Sequence, residues 1–220
     1  MNDYPITFQF IHKVGDEMLI MDTIRYVNLF GNKYSVAALK YFVSGFVIHA
    51  SNGENLELKE TFYIDASNSN TCRLSATRKI PPGTYSGISF IFGLDNVVNV
   101  SGRFLNPPEN RMEWPDPMGG GYHYMKLEGK IDSGGEIANF QAHSGKLYDT
   151  PHFLRVSLRN SSFTVDQKGI IIQIVMDINN WWKNPHTFDL NDITAIMDNG
   201  PVQQQLMENG ADVFTIGSIN

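Results

Sequence analysis

Apolar residues recur at every second position in short runs, and this period of two constrains the chain more than any other feature. Strand side chains alternate between two faces, so such runs build half-buried sheet, not amphipathic helix. Residues 6–12 (ITFQFIH) place Ile6, Phe8, Phe10 and His12 on one face. Strand-like runs follow at 18–27, 34–50, 56–65, 71–80, 85–92, 122–130, 137–143, 153–159 and 169–178. Within 34–50, Ala37–Lys40 could form a helical turn, but the β-branched and aromatic remainder favours strand. Gly31-Asn32, Ser51–Asn55, Ser67–Asn70, Pro81-Pro82-Gly83 and Gly93–Asn96 supply the turn chemistry between runs. Residues 201–210 (PVQQQLMENG) read as the one helix, with Pro at the start and Gly past the end. The pattern predicts an all-β fold: an antiparallel β-sandwich or open barrel with a long Pro/Gly-rich loop and a short C-terminal helix. With no repeat or low-complexity linker, residues 1–220 read as a single domain. Its last section is expected to be an irregular flap of Trp, Pro and helix.

Charge and motifs narrow the function. The net charge is −6, and the 17 Lys and Arg residues form no basic run, so no footprint for a phosphate backbone exists and nucleic acid is not an expected partner. No stretch reaches the roughly 18 apolar residues of a membrane-spanning helix. Cys72 is the only cysteine, which excludes an internal disulfide and any CxxC motif. The chain carries no GxSxG, HExxH, P-loop or dinucleotide fingerprint, and Gly119-Gly120-Gly121 precedes a strand, so it is no helix-start phosphate cradle. No catalytic residue is assigned and no enzyme is expected. The start, Met-Asn-Asp-Tyr-Pro, shows no charged or apolar leader. The expectation is either a cytosolic protein or one that begins after a removed export signal.

The least ordinary stretch is Asn106–Gly129, NPPENRMEWPDPMGGGYHYMKLEG. Pro107, Pro108, Pro115 and Pro117 stiffen a long loop by fixing φ. The glycine triplet then permits a sharp turn into a strand. Alternation puts His123, Met125 and Leu127 on one face of that strand and Tyr122, Tyr124, Lys126 and Glu128 on the other. Imidazole and thioether on one face suit Cu(I) better than a hard cation.

This loop also carries a resemblance. Together with FQFIHKVGDEML (8–19), YSVAALKYFVSGFVIH (34–49), PPGTYSGISFIFGLD (81–95), FQAHSG (140–145), FLRVSLRNSSFTV (153–165), WWKNPHTFD (181–189) and the tail ENGADVFTIGSIN, it resembles the MbnP-like family, in particular its Bacteroidetes-type variants. The resemblance implies a β-sandwich-type domain outside the inner membrane: periplasmic, or an outer-membrane or cell-surface lipoprotein whose export signal has been removed. It implies copper as the bound species and a role in copper sequestration or handover. In copper-binding relatives the ion sits on histidines and a tryptophan oxidised to kynurenine. Met112-Glu113-Trp114 resembles the family's Met-x-Trp. This chain departs from the family in spacing, because Trp114 stands nine residues before His123.

The expected metal site draws on His12, His123, His143 and His186, with Trp114 and Met125 as possible additional ligands. His12 points inward with Phe8 and Phe10. His143 lies at a strand end, and His186 follows Pro185 in a loop. His49 and His152 are assigned to the surface. Met112, Met118 and Met125 cluster in and beside the long loop, where gap-filling competes with soft ligation. Calcium is the other cation considered, because Asp95, Asn96 and Asn99 offer oxygens, although the same residues suit an Asx-type turn. Expected partners are a metal ion and an outer-membrane transporter or other surface partner. The alternative is a non-catalytic surface recognition domain that binds glycan or protein through aromatic loops, without metal. It requires Trp114, Trp181 or Trp182 to be exposed.

Overall fold

A computed structural model describes residues 2–166, 168–193 and 196–220. Its strands run in chain order as β1 (Ile6–Val14), β2 (Glu17–Met18), β3 (Tyr26–Val27), β4 (Lys33–Tyr34), β5 (Ala38–Ala50), β6 (Asn55–Leu58), β7 (Phe62–Asp65) and β8 (Arg73–Ser75). They continue as β9 (Gly83–Phe92), β10 (Met125–Ser133), β11 (Glu136–Ser144), β12 (Leu154–Leu158), β13 (Phe163–Val165) and β14 (Ile170–Asp177). One α-helix, α1 (Gly200–Asn209), and a last strand, β15 (Phe214–Ile219), close the chain.

The strands form two sheets. The smaller has the order β15-β14-β1-β2, with β8 also on β1. The larger has the order β12-β9-β5-β10-β4-β3, with β11 on β10, β13 on β9, and β6 and β7 on β5. Alternation decides what lies between them. Ile6, Phe8, Phe10 and His12 of β1 face inward beside Ile170, Ile172, Ile174 and Met176 of β14, and all eight are buried. Aromatic contacts then join the sheets: Phe8 stacks on Phe46 at 4.3 Å and Phe10 meets the Tyr41 ring at 6.1 Å. The predicted sandwich forms, antiparallel except for β1 and β14, which run parallel from Ile6↔Ile170 to Lys13↔Asp177.

Several expected runs are shorter than the alternation suggested. The run 18–27 yields only β2 and β3, because Asp22 turns the chain at φ 61° and the Tyr26 hydroxyl bonds both the Ile20 N–H and the Ile20 carbonyl. The run 56–65 divides into β6 and β7, and 71–80 leaves only β8. Ala38–Lys40 is strand, so no helical turn interrupts 34–50. The helix falls where Pro201 and Gly210 predict it, and the Asn199 side chain accepts from the Val202 N–H to cap its start. The C-terminal section is more regular than a flap: β15 pairs with β14 from Met176↔Phe214 to Ile172↔Ile219.

The long loop lies on the outer face of the larger sheet and carries its own small core of Phe42, Leu94, Met112, Tyr122 and Tyr124. Phe104 stacks on Phe42 at 5.2 Å, and the Tyr122 hydroxyl accepts from the Phe104 N–H. This second core fixes the loop in place.

Candidate functional site

The site starts from a backbone pairing inside the loop. Residues 112–114 run antiparallel to 121–123: the Trp114 N–H donates to the Gly121 carbonyl at 2.9 Å, and the His123 N–H to the Met112 carbonyl at 2.6 Å. The connection between them contains a 3-10 turn at Asp116–Met118 and the triplet Gly119-Gly120-Gly121, with φ of 117°, 63° and 85°. Left-handed backbone three times running admits glycine and little else. Trp114 and His123, nine residues apart in sequence, are thereby brought together. Their rings meet edge to face at 4.7 Å.

His143 completes the cluster from the larger sheet. It occupies the second-last position of β11, opposite Lys126 of β10. Its ring lies 5.1 Å from that of His123 at 83°. Each imidazole has one nitrogen held by an oxygen. His123 Nδ1 donates to the Met112 carbonyl at 3.0 Å, and His143 Nε2 donates to the Glu128 carboxylate at 2.7 Å. In the neutral tautomers these contacts require, the lone pair lies on His123 Nε2 and His143 Nδ1. Burial first, and the nearby Lys126 charge second, hold the His123 pKa down to about 3. Burial also lowers that of His143, against the opposing pull of Glu128. The His143–Glu128 contact is therefore a hydrogen bond to a neutral ring at physiological pH, not an ion pair.

One face of the Trp114 indole lies against Gly145. A Cβ there would sit 2.6 Å from Trp114 Cε3. Both polar groups of Gly145 are clamped: its N–H donates to Gln203 Oε1 of α1 at 2.9 Å, and its carbonyl accepts from His152 Nδ1 at 3.2 Å. A cleft lined by Ser101, Glu113, Pro115, Asp116 and Gly121 opens onto the same indole.

Of the residues expected to share a metal site, the fold brings together His123, His143 and Trp114. His12 lies between the sheets instead, its Nε2 2.9 Å from the Tyr41 hydroxyl. His186 lies apart as well, bonded to Glu208 beside α1. Among the described residues no group of three or more His, Cys, Asp and Glu converges as a metal site, so the four histidines do not form one set. Met125 is a further correction. The strand begins at Met125, not at Tyr122, so alternation does not extend back to His123. Met125 enters the main core, while the His123 ring stands with Trp114 and His143. His152 is buried, not a surface residue, and its Nδ1 donates to the Gly145 carbonyl. His49 is half-buried and bonds Asn55 and Ser89.

Two other expectations resolve. The Asp95 carboxylate accepts from the Val97 and Val98 N–H groups, and the Asn99 side chain bonds Tyr122 and Tyr124, so these residues make the Asx-type turn and leave no calcium cage. Trp114, Trp181 and Trp182 are all buried, at 2%, 0% and 0% exposure. None of the three tryptophans offers the exposed platform that the recognition alternative needs: Trp181 and Trp182 lie in the main core, and Trp114 is packed between His123 and Gly145. Sequence reading missed Glu128, Lys126, Gly145, His152 and Gln203 as neighbours of the cluster. Two quoted pieces contained some of them: the 106–129 stretch holds Lys126 and Glu128, and FQAHSG holds Gly145.

By fold and site the molecule is a two-sheet β-sandwich whose long loop closes a Trp–His–His cluster against its outer face. The model of the MbnP family matches residues 3–198, and the chain belongs to that family. The solved structure of MbnP from Methylosinus trichosporium superposes with a TM-score of 0.65 at 11% identity, covering 100% of this chain and 99% of that one, and so shares the fold. A comparison with curated proteins finds no match.

Proposed function

We propose that this chain is an exported, non-catalytic copper-binding protein that sequesters the ion or hands it on, with His123 and His143 as the ligand pair. Membership of the MbnP family fits a copper-related role in general. The observation that carries the residue assignment is the pairing of two buried, neutral imidazoles, each with its second nitrogen held by a carbonyl or carboxylate. Metal-binding histidines commonly show this arrangement, because the outer hydrogen bond fixes the tautomer and aims the free lone pair. Neutral rings need lose no proton to bind, so the site is ready at any physiological pH. Imidazole donors suit copper, and a two-nitrogen set with an adjacent indole suits Cu(I) better than an ion that demands six oxygens. His12 and His186 are left outside the site, and Trp114 remains its neighbour through the His123 ring.

Titration of the purified protein with Cu(I) and Cu(II) tests the assignment. The His123→Ala/His143→Ala variant is expected to lose tight binding, whereas His12→Ala/His186→Ala keeps it. Wild type binding no more tightly than the first variant would sink the proposal. Fractionation of the native cells, with copper analysis of the protein from the compartment where it resides, tests export and cargo together.

A further inference from the structure

A row of cations crosses the larger sheet beside the histidine pair. Lys40 of β5 stands opposite Lys126 of β10, and Lys126 stands opposite His143 of β11. Lys126 Nζ donates to the Arg111 carbonyl at 2.9 Å. The next carbonyl in the chain, that of Met112, is the one that holds His123 Nδ1. The ammonium is thus anchored one peptide from the group that orients one histidine and directly across the ladder from the other. Its charge bears on both rings, and in each case disfavours added positive charge. Lys40 has a partner of its own in Asp65 at 3.7 Å. The carboxylate that touches the pair is Glu128, which accepts from His143; that ring is neutral, so Glu128 keeps its negative charge beside the site, and Lys126 is the nearby cation that offsets it.

We infer that Lys126 is a charge-selecting residue of this site, admitting a singly charged soft ion and disfavouring divalent ones. The inference rests on the reading of His123 and His143 as ligands. Two neutral imidazoles bring no negative charge of their own. A divalent ion placed between them meets twice the Coulomb repulsion from a fixed ammonium that a monovalent ion meets, and the half-buried setting weakens solvent screening. The anchor at Arg111 matters because a free lysine would swing away from an arriving cation. Lys126 touches no ion; it acts through its field, by making Cu(II) and Zn(II) worse competitors for a place that Cu(I) can take.

The test uses the full chain and the variants Lys126→Met, Lys126→Gln and Lys126→Arg, each first checked for a wild-type circular dichroism spectrum. Affinities for Cu(I), Cu(II) and Zn(II) are read by competition with chromophoric chelators, and the midpoint potential of the bound copper by redox titration. Removing the charge is expected to raise Cu(II) and Zn(II) affinity relative to Cu(I) on the order of tenfold. The copper potential should fall correspondingly, and Lys126→Arg should keep the wild-type ratio. Unchanged ratios in both neutral variants overturn the inference, as does an equal change in Lys126→Arg, which would trace the effect to the anchor and not the charge. Failure of the underlying reading looks different: the His123→Ala/His143→Ala variant would then bind as wild type does.

Discussion

His12 shows what a buried imidazole does to a β-sandwich when it lies between the sheets and not in the loop cluster. It sits on the inner face of β1, with its Nε2 against the Tyr41 hydroxyl and its ring edge-on to the same tyrosine. Burial holds its pKa down to about 4, opposed by the charge of Asp65. The unfolded histidine titrates near 6.5. Between these values the unfolded chain binds the extra proton, so stability rises with pH across the window and is lost as pH falls from 6.5 toward 4. One group shifted this far contributes up to roughly 3 kcal/mol of that slope. The variant His12→Gln keeps a polar partner for Tyr41 and removes the titration. Urea unfolding followed from about pH 7 to pH 4.5 is expected to give a shallower loss of stability in the variant than in wild type. Superimposable pH profiles would show that His12 is protonated in the folded state or does not titrate as its burial requires. His123, held down to about 3, adds a second contribution of the same sign.

At the scale of elements, helix α1 is tied to the site through one side chain. Gln203 is fully buried; its Oε1 accepts from the Gly145 N–H, and its Nε2 donates to the Met197 carbonyl. Truncating it by Gln203→Ala leaves a buried N–H and a carbonyl without those partners, at a cost of about 1–3 kcal/mol for an unsatisfied group. Gly145 backs the Trp114 indole, so the same change should also blur the tryptophan environment. A drop in thermal midpoint together with a changed near-ultraviolet circular dichroism band is expected, and an unchanged band would show that Gly145 holds its place without the clamp. Much of this arrangement was hidden in the sequence because it depends on long-range pairing. Alternation marked β1, β5, β9 and β14 because each has one inward face. It could not mark β15, where Gly217 and Ser218 interrupt the apolar pattern, nor the parallel pairing of β1 with β14, which is set by contacts across the whole chain. The cluster itself depended on two registers: 112–114 against 121–123, and β10 against β11. Neither is written in spacing, which is why Trp114 looked distant from His123, and why Met125 looked like its neighbour. The helix was legible because its end signals, Pro201 and Gly210, act locally, and the structure adds the Asn199 cap.

For the whole molecule, the family match ends at residue 198, yet the fold does not. Helix α1 supplies Leu206 and Met207 to the main core and Gln203 to the loop cluster. Beyond it, Phe214 meets Phe90 at 5.3 Å, Phe92 at 5.4 Å and Trp181 at 6.3 Å, and β15 covers the edge of β14. Burying each large apolar side chain contributes about 1.5–3 kcal/mol. Loss of Leu206, Met207, Val213 and Phe214 together therefore approaches the roughly 5–15 kcal/mol by which a domain is stable at all. It also strips β14 of one of its two neighbours and uncovers the faces of Trp181 and Phe92 that Phe214 packs against. A chain ending at Asp198 is expected to lose cooperative thermal unfolding and to bind a hydrophobic dye, while removal of Asn2 and Asp3, which are exposed, leaves the transition in place. A truncated chain that still melts cooperatively within a few degrees of wild type would mean that the sandwich closes without its last strand. The C-terminal segment would then serve the loops, through Gln203 at Gly145 and Asn209 at Trp181 and His186. The part of the near-ultraviolet signal that a Trp114→Phe substitution removes, compared in the full and truncated chains, separates these outcomes by reporting whether the loop cluster survives the loss of α1.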